Sequence, residues 1–189
     1  MVLRYVNKAD ISFRTRTLPD AIPALKARHP GKDVLAETPA YDLIELFFFA
    51  YRDFVSDPDR ILGEYGFGRA HHRVLHFVSR NPGLTIAELL DILQITKQSL
   101  NRVLKELIEK DFIESRMGTA DRRQRLLYAT AQGRELALKL AKLQTRRIMR
   151  ALSAMEPEAK ELVSRYLLRL IDPDHSAHVK HLVFGSEET

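Results

Sequence analysis

Apolar residues along the chain fall into helical stripes separated by sharp stops, and the stops set the predicted elements. From Tyr41 to Val55 the run YDLIELFFFAYRDFV is apolar nearly all round a helix. Leu43, Leu46, Phe47 and Ala50 form one stripe, and Ile44, Phe48, Tyr51 and Val55 form another. A helix with two apolar faces needs two partners. The second partner is expected to be another copy of the chain, because a bare aromatic face of this size would promote aggregation. A competing reading buries Phe47 to Phe49 in a monomer core. The following segment, SDPDRILGEYGFG, combines an Asp-Pro helix start with Gly63, Gly66 and Gly68, which predicts a short helical turn and a flexible joint.

RAHHRVLHFVSR places Val74, Leu75 and Val78 at helical spacing, and the NPG of residues 81 to 83 stops it. Thr85 and Glu88 then have the spacing of a capping box, so a new helix starts there and runs through Leu89, Leu90 and Leu93. Ile95-Thr96 forms a short turn, with Thr96 capping the helix TKQSLNRVLKELIEKD. In that helix Leu100, Val103, Leu104, Leu107 and Ile108 share one face, while Lys97, Gln98, Asn101, Arg102 and Lys105 occupy the other. Two helices joined by a short turn, the second polar on its outer face, have the geometry that lets a helix enter a DNA major groove.

FIESR and RLLYAT are β-prone runs joined by MGTADRRQ, a loop with arginines at its tip, and read as a hairpin. A helical pattern resumes from Ala131 to Leu152 through Leu136, Leu140, Leu143 and Ile148. Glu156-Pro157 opens a last helix, with Ala159, Leu162, Val163, Tyr166, Leu167 and Leu170 on one stripe. Asp172-Pro173 is expected to end regular structure and leave a polar tail, with His175, His178 and His181 in a disordered end. Residues 1–40, with four prolines and no sustained period, read as an extension with one short helix at most.

The fold class is therefore mainly α with a small β-hairpin wing (α+β): a winged helix-turn-helix domain plus a helical dimerisation domain. The expected organisation is an extension over 1–40, a helical dimerisation region over 41–56 and 131–171, a winged domain over 66–130 and a tail over 172–189. A length of 189 residues suits one compact body, and 45% hydrophobic against 29% charged residues gives enough apolar material for a core. No apolar run is long enough to span a membrane and the amino terminus carries no secretory pattern, so a soluble cytoplasmic protein is expected. The absence of cysteine removes disulfides, thiolate metal sites and thiol oxidation sensing. A net charge of +5 is compatible with a polyanionic partner.

The order of elements and the residues that carry it resemble the MarR family of winged helix-turn-helix regulators over roughly Tyr41 to Ile171. The likeness rests on Ile95-Thr96-Lys97-Gln98-Ser99-Leu100-Asn101-Arg102, on the wing's Asp121-Arg122-Arg123, and on Ala129-Thr130 followed by Gly133. Ala129 stands where the family has leucine, which weakens packing at one position. The stretch Gly66 to Leu104 resembles the PetP-like branch of that family.

The resemblance implies a homodimeric transcriptional repressor that reads an inverted-repeat operator in double-stranded DNA. Gln and Asn pair with adenine edges and Arg with guanine, which makes Gln98, Asn101 and Arg102 the base-reading candidates. Lys97, Ser99 and Lys105 are expected at phosphates. By resemblance Arg123 enters the minor groove, Asp121 braces the loop, and Arg122 and Arg125 lie near the backbone. It also implies a small-molecule effector where the dimer helices meet the winged domain, lined here by Phe48, Tyr51, His72 and His76. His72 and His76 have the i, i+4 spacing of metal ligands, but the further ligands a metal needs are missing, so no metal or cofactor is expected. His71, His72 and His76 are expected to line the hinge or touch the DNA backbone, with metal or haem binding as the rival reading. A winged-helix protein-interaction module that does not read DNA is the alternative function. An enzyme is not expected, because the chain has no P-loop, no Gly-x-Ser-x-Gly and no His-Glu-x-x-His.

Overall fold

Each break between apolar stripes has a local chemical cause, and together those breaks fold the helices around a small sheet. The computed structural model describes residues 39–118 and 124–185. Helix α1 spans Tyr41–Glu64 and α2 spans Arg69–Arg80. Strand β1 (Leu84–Thr85) leads into α3 (Ile86–Leu93) and α4 (Lys97–Glu109). The hairpin strands β2 (Ile113–Met117) and β3 (Arg125–Ala129) follow, and then α5 (Ala131–Leu152), α6 (Ala159–Leu170) and α7 (Pro173–Phe184).

The capping box at the start of α3 forms as the spacing predicts. The Glu88 amide donates to Thr85 Oγ1 at 3.2 Å and the Thr85 amide donates to Glu88 Oε2 at 2.8 Å. The Thr85 amide and the Thr85 hydroxyl, which also donates to Glu88 Oε2 at 2.8 Å, together hold the Glu88 carboxyl below its ordinary range. Gln94, in the left-handed region at φ 49°, closes α3. The turn that follows hands over to Thr96, whose Oγ1 accepts the Ser99 amide of α4 at 3.2 Å.

The sheet has the order β1-β3-β2, all antiparallel, with Ile113 opposite Ala129 and Met117 opposite Arg125. Beneath it a continuous core gathers Leu62 of α1, Leu75 and Val78 of α2, Leu89 of α3, Leu100 and Leu107 of α4, Phe112, Leu127, and Leu140 of α5. Gly133 belongs to the join between sheet and α5. A Cβ there would lie 2.0 Å from the Phe112 carbonyl oxygen, so only glycine lets α5 pass so close. Thr130 fixes the same join: its Oγ1 accepts the Gly133 amide at 3.0 Å and donates to the Asp111 carbonyl at 2.6 Å.

Several expectations change. The Asp-Pro at residues 57 and 58 does not open a new element, because α1 continues through Pro58 to Glu64. An interior proline costs about 3 kcal/mol, but burying Ile61 and Leu62 one turn later returns about 1.5 to 3 kcal/mol each. The joint therefore shortens to Tyr65–Gly68, where Gly66 adopts φ +68°. β1 is a third strand beside the expected hairpin, pairing Leu84 with Leu127. Ile108 is 41% exposed and does not belong to the buried face of α4.

Asp172-Pro173 begins a helix instead of ending one. Asp172 caps α7 and Pro173 sits in its first turn, where a missing amide hydrogen costs nothing. His175, His178 and His181 are thus helical, and residues 186–189 of the expected tail lie outside the described residues. α6, expected to open at Glu156-Pro157 and to be the last helix, opens at Ala159 and is followed by α7. The monomer-core reading of the aromatic run also fails: Phe47, Phe48 and Phe49 are 54%, 64% and 46% exposed in the single chain.

Candidate nucleic-acid interface

The site begins with α4. Its buried side, Leu100, Val103, Leu104 and Leu107, anchors it in the core, which leaves its other side facing solvent. Lys97, Gln98, Ser99, Asn101, Arg102 and Lys105 are all exposed there. Lys105 pairs loosely with Glu109 at 3.7 Å, an i, i+4 contact weak enough to yield to a stronger anion. The Ser99 hydroxyl accepts from Thr96 Oγ1 at 3.0 Å and keeps its own hydrogen free to donate.

α4 is held at its angle by His71 of α2. The His71 Nε2 meets Glu106 Oε2 at 2.9 Å, and Nδ1 accepts the Gly68 amide at 3.1 Å, which fixes the neutral tautomer with the proton on Nε2. The ring stacks on Phe67 at 4.7 Å between centroids. Phe67 in turn meets Phe112 edge-on at 5.0 Å and Lys110 Nζ lies 4.8 Å from its ring centre, so the joint, α2 and the end of α4 lock together. The sequence alone does not assign His71 this bracing role. Its i, i+35 partner is the signal that only the fold supplies.

The wing extends from the same body. Arg125 is exposed at the start of β3, and the Gly118 amide donates to the Gln124 carbonyl at 3.0 Å to close the neck of the hairpin. Asp121, Arg122 and Arg123 lie outside the described residues. Arg116, which the sequence reading passed over, projects from β2 over the Tyr128 ring at 4.6 Å and pairs with Glu114. It adds a cation to the wing on the face opposite Arg125, since Arg116 pairs with Leu126 and Arg125 with Met117.

The four residues proposed around an effector divide. Tyr51 is half exposed on α1, and Asp59 further along that helix pairs with Arg69 of α2 through Nε at 2.8 Å. His72 and His76 lie along this α1–α2 junction with ring centroids 6.5 Å apart. Burial lowers both imidazole pKa values. The positive charge of His76 adds to the effect on His72, Arg80 adds to it on His76, and Asp59 opposes it on His72. Phe48 is exposed on α1 and packs edge-on against Phe49 at 5.7 Å. Among the described residues no three His, Asp or Glu side chains assemble into a group that could hold a metal ion.

Residues 65–124 match the model of the MarR family. The HTH-type transcriptional regulator PetP of Rhodobacter capsulatus is 45% identical over 139 residues, which cover 74% of this chain and 84% of PetP. The chain belongs to the MarR family. It is a transcriptional regulator built on a DNA-binding winged helix. The crystal structure of MarR superposes on it with a TM-score of 0.53 at 25% identity, covering 70% of this chain and 95% of MarR. FabT of Streptococcus pneumoniae, solved in complex with DNA, shares the fold with a TM-score of 0.59 at 18% identity, covering 69% and 94%. In this MarR-family chain the matched stretch runs from the joint through α4 into the wing, the same residues that present the exposed polar face. Among the described residues no helix is long and apolar enough to cross a membrane.

Proposed function

We propose that the protein is a homodimeric repressor that reads an inverted-repeat operator in double-stranded DNA. The carrying observation is the division of α4 into a wholly buried leucine-valine side and an opposite side of exposed Lys97, Gln98, Ser99, Asn101, Arg102 and Lys105. Gln98, Asn101 and Arg102 read base edges in the major groove, and Lys97, Ser99 and Lys105 fix register on phosphates. Arg123 enters the minor groove with Asp121 bracing the wing, while Arg122 and Arg125 contact the backbone.

Dimerisation is supported by the apolar surface a single chain leaves bare. Leu43, Phe47 and Phe48 of α1, Ile148 of α5, and Tyr166 and Leu170 of α6 are all about half exposed or more, more than a lone chain would keep in water. In this reading residues 41–56 and 131–171 form the dimer and residues 66–130 the DNA-binding domain. A twofold axis would set two copies of α4 about one helical turn of DNA apart, which suits an inverted repeat. A small effector acts at the α1–α2 junction near Tyr51, His72 and His76, with Phe48 as an apolar wall. It works through unequal affinity for the two spacings of the winged domains.

The test is a salt titration of duplex affinity on the protein and two variants. Neutralising several phosphates gives a slope of log K on log salt of about −5 or steeper. Arg123→Ala weakens all duplexes alike, whereas Asn101→Ala costs about 1 to 3 kcal/mol at particular base pairs. A flat salt dependence would favour a module that docks on acidic protein, and identical losses in both variants would overturn the division of roles.

A further inference from the structure

A cleft of about 390 Å³ opens between α1 and α5, lined by Asp57, Arg60, Leu143, Arg146, Arg147 and Arg150. The α5 residues recur at i, i+3, i+4 and i+7, which brings them to one helix face. Four guanidiniums therefore meet one carboxylate. Arg147 alone is paired, its Nη2 lying 3.0 Å from Asp57 Oδ2, and its Nε is buried without a hydrogen-bond partner. Among the described residues Arg60, Arg146 and Arg150 form no salt bridge. Like charges held together this way repel unless an anion neutralises them.

The DNA-reading surface does not account for the cluster. α5 leaves the wing at Ala131, and a rise of 1.5 Å per residue carries Arg146 and Arg150 about 22 to 28 Å along the helix from that point. Nor does the α1–α2 junction account for it, since none of Phe48, Tyr51, His72 and His76 lines the cleft. Guanidinium forks match the paired oxygens of phosphate and carboxylate, and Leu143 offers an apolar surface beside them.

We propose that this cleft is a binding site for a small organic anion carrying at least two negative charges, a phosphate monoester or a dicarboxylate, held by Arg60, Arg146 and Arg150 with Leu143 against its carbon skeleton. Arg147 stays with Asp57. Because the walls come from two helices, the occupant ties α1 to α5.

The test uses the full-length chain, melted in the presence of phenyl phosphate, pyrophosphate or phthalate at ionic strength matched with KCl, with calorimetry for stoichiometry. One equivalent per chain and a saturable rise in Tm are expected. Response to the two phosphates alone assigns the phosphate class, and response to phthalate alone assigns the dicarboxylate class. The double variant Arg146→Gln, Arg150→Gln should bind at least tenfold more weakly, and Arg60→Gln, on the opposite wall, should weaken binding independently. Arg150→Lys, which keeps the charge and loses the fork, should fall between. The proposal is overturned if none of the three anions stabilises beyond KCl or if both Gln variants respond undiminished. It is also overturned if the double variant becomes monomeric with its anion response intact, which would assign the arginines to carboxylates of a second subunit.

Discussion

Replacing Gly133 with alanine tests the join on which the geometry of wing and α5 depends. The added Cβ would sit 2.0 Å from the Phe112 carbonyl oxygen and 3.4 Å from Leu75 Cδ1. Reaching ordinary contact of 3.4 Å requires α5 and the Phe112 backbone to separate by about 1.4 Å, and backbone on both sides resists that shift. Overpacking of this kind costs about 1 to 3 kcal/mol. The shift also strains the bond from the Thr130 amide to the Phe112 carbonyl, now 3.1 Å, worth about 1 kcal/mol. Alanine's better helix propensity returns about 1 kcal/mol. The balance is a net loss of about 1 to 3 kcal/mol, or a Tm lower by roughly 2 to 12 °C for a chain of this size. Thermal melts of both proteins at one fixed concentration measure it, since association would otherwise shift Tm. A variant as stable as the parent would refute the close approach and with it the placement of α5 against the wing.

Three further outcomes follow from the same geometry. Phe48→Asp sets a charge on the exposed aromatic face, and should raise the dimer dissociation constant at least 100-fold in sedimentation, with DNA affinity falling alongside; a variant still dimeric at micromolar concentration would move the interface elsewhere. Burial holds the His72 and His76 imidazoles below the unfolded value of 6.5, so the unfolded chain takes up protons first as pH falls. Stability is full above that value and declines as pH drops through it toward the folded pKa values. Denaturant titrations from pH 7.5 to 5 should show that decline and show it reduced in His72→Gln, whereas equal slopes in both proteins would count against the burial. Glu106→Gln keeps a hydrogen bond to His71 Nε2 while Glu106→Ala removes it, so the alanine variant alone should lose about 1 kcal/mol and DNA affinity; equal behaviour of the two would exclude His71 as the brace of α4.

The helix-turn-helix and the wing are legible in the sequence because their determinants are local. Thr85 with Glu88, and Thr96 with Ser99, cap their helices within three residues, and the 3,4 spacing of Leu100, Val103, Leu104 and Leu107 needs no knowledge of the partner they pack on. What escaped depends on neighbours distant in sequence. β1 is two residues long and exists through its pairing with β3, some 40 positions away. α1 passes Pro58 because Ile61 and Leu62 reach a core assembled from other helices. α7 has no buried residue and no apolar stripe, and the Asp-Pro pair before it serves as a start signal as readily as a stop. The same holds for the site: the exposed face of α4 follows from helical period, whereas the pairing of His71 with Glu106 and the arginine cleft need α2, α4, α1 and α5 in place.

Selection of bound duplexes from a random pool addresses the central claim most directly, because it reads DNA specificity and symmetry in one result. Two copies of α4 docked across a twofold axis would enrich an inverted repeat with half-site centres about 10 base pairs apart, occupied by two chains per duplex. Retention of no duplex at low ionic strength, or enrichment of an asymmetric sequence bound by a single chain, would contradict it.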